Sequence, residues 1–103
     1  MRVTFSDQAV IDLERAFAWY LQTGDLMLAT RFRDAVDHAL AHLVRNPGMG
    51  SARYSRIGSQ DVLRFWVLRR FPYSVFYLAE TERLHVVRVL HQAGDIPQHL
   101  QQP

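Results

Sequence analysis

Through the first half of the chain, apolar side chains recur at spacings of three and four. Val10, Leu13, Phe17, Tyr20 and Leu21 form one such stripe, the mark of an amphipathic helix. Ser6 stands ahead of it as an N-cap, with Asp7 well placed in the first turn. Gly24 ends it, since glycine accepts the left-handed conformation in which many helices stop. Asp25 caps a second helix, whose apolar face runs through Leu28, Phe32, Ala35, Val36, Ala39, Leu40 and Leu43. Arg31, Arg33, Asp34, Asp37 and His38 take its outer face, and Asn46-Pro47-Gly48 closes it. So little chain separates the two stripes that the helices must fold back as an antiparallel hairpin.

Residues Gly48–Ser59 show no periodicity and read as a loop. Beyond them the pattern changes. Val62–Phe71 is rich in β-branched and aromatic residues, Pro72 breaks it, and Tyr73–Leu78 and Leu84–His91 follow on either side of the polar turn Glu80–Arg83. Such short connections predict an antiparallel meander. Val3–Phe5 predicts a short first strand that joins a sheet edge, and Ile96–Gln101 a single helical turn. The expected architecture is α+β in one domain over residues 1–103: a short N-terminal strand and a helical hairpin packed on a three- to four-stranded antiparallel sheet.

Composition narrows the chemistry. Of 103 residues, 49% are hydrophobic and 21% charged, the balance of an ordinary globular domain. There is no cysteine, which excludes disulfides, thiolate metal ligands and a cysteine nucleophile, and fits a reducing cytoplasm. The longest stretches without charge, Ala16–Gly24 and Phe71–Ala79, fall far short of the roughly 18 residues of a membrane span. No signal peptide is expected, because Ser6, Asp7 and Gln8 interrupt the apolar start. All 12 basic residues are arginines, which bind phosphates and carboxylates in bidentate fashion but do not act as bases near neutral pH. A net charge of +2 is by itself too small to imply nucleic-acid binding. His38 and His42 have i,i+4 spacing but no glutamate in the metalloprotease position, and read as a polar helix edge, so no metal is expected.

This order of elements, with three local signatures, resembles the ParE/RelE toxin superfamily, and its ParE branch in particular. The signatures are Leu63-Arg64, then Phe71-Pro72-Tyr73-Ser74-Val75-Phe76-Tyr77, then Arg88-Val89-Leu90-His91-Gln92-Ala93-Gly94-Asp95. Looser matches lie at Ala9–Leu13, at Ala29–Phe32 and at Leu43 with Asn46-Pro47. The resemblance implies a toxin of a type II toxin–antitoxin system that serves plasmid stabilisation by trapping DNA gyrase on cleaved DNA. It implies a ParD-like antitoxin whose flexible segment wraps the toxin, contact with DNA only indirectly through the antitoxin or gyrase, and no cofactor. One departure is Gly94, where the family carries a basic residue before the aspartate.

Three functions stay open on the residues: a gyrase-binding poison, a RelE-type ribosome-dependent mRNA endoribonuclease, and a degenerate toxin that keeps only antitoxin binding. RNA cleavage by a 2′-hydroxyl needs a base, an acid and cations around the phosphate. His91 is the kind of side chain that could exchange the proton. Arg64, Arg69, Arg70 and Arg88 could supply charge, but relatives with that activity usually carry lysines as well and a reactive Tyr or His near the C-terminus. No catalytic residue is therefore assigned, and Arg64, Arg69, Arg70, Arg88 and His91 are candidates for target contact. Four of them also have a structural alternative: Arg64 propping the sheet on a carboxylate, Arg69-Arg70 as a solvated strand end, His91 bonded to the following loop. Adjacent strand residues face opposite ways, so Arg69 and Arg70 can act together only if the strand ends there. Trp19, Tyr20, Trp66 and Leu68 are the antitoxin-binding candidates, because Trp19 and Tyr20 cannot both face inward and both faces of the first long strand are apolar.

Overall fold

The computed structural model describes residues 1–52 and 62–93. Within them the chain runs β1 (Arg2–Phe5), α1 (Asp7–Thr23), α2 (Leu26–Arg45), a 3-10 turn (Pro47–Met49), β2 (Leu63–Val67), β3 (Tyr73–Ala79) and β4 (Arg83–His91). The helical turn expected at Ile96–Gln101, the departure at Gly94 and most of the loop after Gly50 lie outside the described residues.

Both helices start at the expected caps. The Ser6 hydroxyl accepts from the Ala9 N–H at 3.0 Å and donates to the Val87 carbonyl at 2.6 Å, so one side chain caps α1 and ties it to β4. Asp25 Oδ1 accepts from the Leu28 N–H at 2.8 Å. Gly24 ends α1 as expected but not in the left-handed conformation, since its φ is −122°. A Cβ there would sit 2.6 Å from Leu28 Cδ2, so a larger residue would require that leucine side chain to move. The tight reversal into α2 brings that side chain over the turn.

The sheet order is β1-β4-β3-β2, and the β2–β3–β4 meander is antiparallel as expected. β1 lies at the edge but pairs parallel to β4, with Val3 opposite Leu84, which makes the sheet mixed. β1 reaches β4 through the whole helical hairpin and meander, so no tight turn imposes an antiparallel partner. β2 stops at Val67, four residues before the expected end. The Leu68 N–H donates to the Tyr73 carbonyl at 2.9 Å and closes a hairpin in which Arg70 takes a positive φ of 71°. A bulge shifts the β3–β4 register between Phe76 and Tyr77.

The core lies between the helices and one sheet face. Ala9 and Ala16 are buried along α1 and admit close approach of the sheet, while Phe32, Val36, Leu40 and Leu43 project from α2 onto Val75, Tyr77, Leu84, Val86 and Val89. Burying each large apolar side chain contributes about 1.5–3 kcal/mol. Tyr20, Phe32, Phe71 and Tyr73 form a ring cluster with centroids 5.2 to 6.2 Å apart, mostly edge-on. On the other sheet face Phe76 and Leu90 are buried, with Leu63 and Phe65 against them.

Burial lifts the phenols of Tyr77, Tyr20 and Tyr73 above the ordinary 10.0. For Tyr77 the Gly50 N–H and the Arg64 charge partly oppose this, and for Tyr20 the neighbouring Tyr73 adds to it. The unfolded chain releases these protons first, so the stabilisation is complete below pH about 10 and is lost as pH rises through the folded values. Urea unfolding at pH about 9, 10 and 11 should show a falling midpoint accompanied by phenolate absorbance, and a level midpoint would contradict the burial of these hydroxyls.

Candidate functional site

The candidate arginines occupy different settings. Arg88, next to the bulge, makes a bidentate pair with Asp12 of α1: Nε donates to Oδ2 at 2.8 Å and Nη2 to Oδ1 at 3.1 Å. The same Oδ2 accepts the Val89 N–H at 3.0 Å. The Asp12 side chain is 9% exposed and that of Arg88 is 21% exposed, so this ion pair joins α1 to β4 largely out of water. The hydrogen bond to Asp12 raises the Arg88 pKa above its usual value although burial works against it. Arg64 is half-buried on β2, and its Nη1 donates to the Gly50 carbonyl at 2.9 Å. The nearby Gly50 N–H donates to Tyr77 Oη at 2.9 Å, and that hydroxyl donates to the Pro47 carbonyl at 2.8 Å. Arg64 thus helps hold the segment after α2 against the sheet. His91 is exposed at the end of β4, where Nδ1 accepts the Ala93 N–H at 3.0 Å and the ring meets Tyr73 edge-on at 5.1 Å.

Arg69 and Arg70 differ from these. Because β2 ends at Val67, both lie in the β2–β3 turn and both line one groove between that turn and α2. The groove has a volume of about 940 Å³ and is also lined by Arg31, His38 and His42 of α2 and by Trp66. The His42 and Trp66 rings lie 5.1 Å apart at 43°. Five candidates separated in sequence thus divide into three groups: Arg64 and Arg88 engaged within the fold, His91 near the open end of β4, and Arg69 with Arg70 on the groove.

Among the antitoxin candidates, Trp19 is 60% exposed and Tyr20 faces the ring cluster. Trp66 is half-buried against the core on the helix side of the sheet, and Leu68 is only 3% exposed, leaving almost no surface to a partner. A second concavity, of about 330 Å³, was not apparent in the sequence. It opens between the helices and β1 and is lined mainly by Phe5, Leu13, Phe17, Val36 and Leu40, with Glu14, Arg33 and Asp37 at its margin. Apart from Phe5 of β1, those apolar residues are part of the stripes that announced the helices, and nothing local tells which part of a wide stripe stays uncovered. Likewise Arg31, His38 and His42 show only as a polar helix edge until the turn arginines are folded beside them. No helix of the described residues is long and apolar enough to cross a membrane.

A family model described as the ParE toxin of the type II toxin–antitoxin system parDE matches residues 3–96. A chain in the solved structure of a chromosomal ParDE TA system from P. aeruginosa has the same fold, with a TM-score of 0.71 at 18% identity, over 88% of this chain and 95% of that one. No curated protein matches the sequence. With the family match spanning nearly the whole chain, this protein belongs to the ParE toxin family of type II toxin–antitoxin systems.

Proposed function

We propose that this toxin inhibits DNA gyrase in the cytoplasm by binding rather than by catalysis, and that a ParD-like antitoxin neutralises it. Family membership supports the toxin role. The observation that favours a binder over a ribonuclease is the state of the sheet arginines. Arg88 is held in a bidentate pair with Asp12, so its charge does not stand ready to stabilise a phosphorane, and Arg64 gives one donor to the Gly50 carbonyl. His91 already accepts a backbone hydrogen bond at Nδ1.

The apolar concavity between the helices and β1 supports an antitoxin seat. An amphipathic segment could place apolar anchors on Phe5, Leu13, Phe17 and Leu40, with its polar side toward Glu14, Arg33 and Asp37. Such a segment folds as it binds, so the free antitoxin tail should be disordered.

The decisive experiment takes the purified toxin, freed of antitoxin, into two assays. Gyrase supercoiling should be inhibited, with trapped cleaved DNA, while a message in cell-free translation stays uncut by primer extension. A cut message with unaffected gyrase would replace this reading with the endoribonuclease. Silence in both assays would leave a degenerate toxin that only binds its antitoxin.

A further inference from the structure

The groove between α2 and the β2–β3 turn has no part in that reading. Three arginines open on it, Arg31, Arg69 and Arg70, against a single carboxylate, Asp34. Among the described residues none of the three has an ion-pair partner, and Arg31 touches only the weak acceptor Met27 Sδ at 3.5 Å. His38 and His42 lie between them along α2, and Trp66 and Phe71 bring aromatic surface. Arg70 adds an independent sign. It holds a left-handed backbone, with φ 71°, that glycine adopts freely and an arginine does not. A turn that served only to reverse the chain would be better made with glycine. The charged side chain at this position sits beside a second arginine, and the early end of β2 sends both to the same opening.

We infer that this groove binds the phosphodiester backbone of a single-stranded nucleic acid. Arg31, Arg69 and Arg70 hold phosphates, and an unpaired base lies against Trp66. Guanidinium groups spaced along a channel with ring surface between them suit a strand whose bases are free to stack, which a duplex does not offer. The inference goes beyond the gyrase reading, in which DNA is met only through gyrase or the antitoxin, and it does not depend on that reading. An acidic peptide would satisfy the same charges without using the rings.

The test uses the full chain with Trp19→Phe, which leaves Trp66 as the remaining tryptophan of two. The probe is an end-labelled oligothymidylate of about 12 nucleotides, followed by anisotropy and by Trp66 emission at about 50 mM salt. Saturable binding with quenched emission is expected, and three phosphate contacts give a slope of log K against log salt near about −2. Arg69→Ala/Arg70→Gly should weaken binding by at least about tenfold and flatten the slope by about 1.4. Its melting temperature should not fall, because Arg70→Gly relieves the turn. Absence of binding, undiminished binding in the double variant, or tighter binding of an oligoglutamate of equal charge would overturn the inference, the last in favour of an acidic protein segment. The same preparation is assayed on gyrase. Inhibition without oligonucleotide binding removes the groove and leaves the gyrase reading, and oligonucleotide binding without inhibition does the reverse.

Discussion

Gly50→Ala is expected to destabilise the domain by about 3 kcal/mol and to lower its melting temperature by about 15 °C. Its backbone, at φ −67° and ψ 150°, suits any residue, so the effect comes from space rather than from conformation. A Cβ there would overlap the Tyr77 hydroxyl and would lie 2.8 Å from Tyr77 Cε1 and 2.9 Å from the Phe65 carbonyl. Tyr77 has no exposed surface and cannot swing into solvent. Displacing its ring would break the bonds from the Gly50 N–H and to the Pro47 carbonyl together, leaving buried polar groups without partners. Gly48→Ala is the control, because nothing lies within 4 Å of its added carbon, and it should leave stability within about 0.5 kcal/mol. Thermal and urea unfolding of both variants check the pair. A Gly50→Ala protein as stable as Gly48→Ala would show that the Tyr77 ring yields at little cost.

What the sequence discloses in advance divides along physical lines. The two helices were legible because their signals are local: spacings of three and four, Ser6 and Asp25 as caps, and a turn too short for anything but a hairpin. The meander followed from equally short connections. The parallel pairing of β1 was not legible, since Thr4 and His85, whose side chains meet at 2.7 Å, lie 81 residues apart and neither marks a strand direction. The end of β2 was missed because aromatic and β-branched residues continue on both sides of Arg69-Arg70, and arginine carries no signal for the left-handed conformation Arg70 adopts. The same limit governs the site. One reading of Arg64 was an arginine that props the sheet on a carboxylate, yet among the described residues the sheet arginine that pairs with a helix carboxylate is Arg88, through an aspartate 76 residues away. Arg64 instead holds a backbone carbonyl. Arg69 and Arg70 can share one face only if the strand ends before them, and whether it does depends on a hairpin geometry that composition does not encode.

The Arg88–Asp12 pair carries the second large effect, and it separates a structural arginine from a target contact. Asp12→Ala should cost about 3 kcal/mol, because it strands a mostly buried guanidinium and also orphans the Val89 N–H. Arg88→Ala leaves the carboxylate with that one backbone donor and should cost a similar amount. The double replacement Asp12→Leu/Arg88→Met removes both charges and fills the space, so it should be less destabilising than Asp12→Ala alone, the non-additivity expected of directly bonded groups. Gyrase inhibition then discriminates. If Arg88 acts only by fixing α1 on β4, inhibition should fall in both single variants in step with their melting temperatures and return in the double variant. If Arg88 touches the target, the double variant will be stable yet inactive, while Asp12→Ala, assayed at a temperature where it remains folded, will still inhibit. That second pattern would move Arg88 from the scaffold to the working surface, and would imply that the guanidinium is released from Asp12 when the target binds.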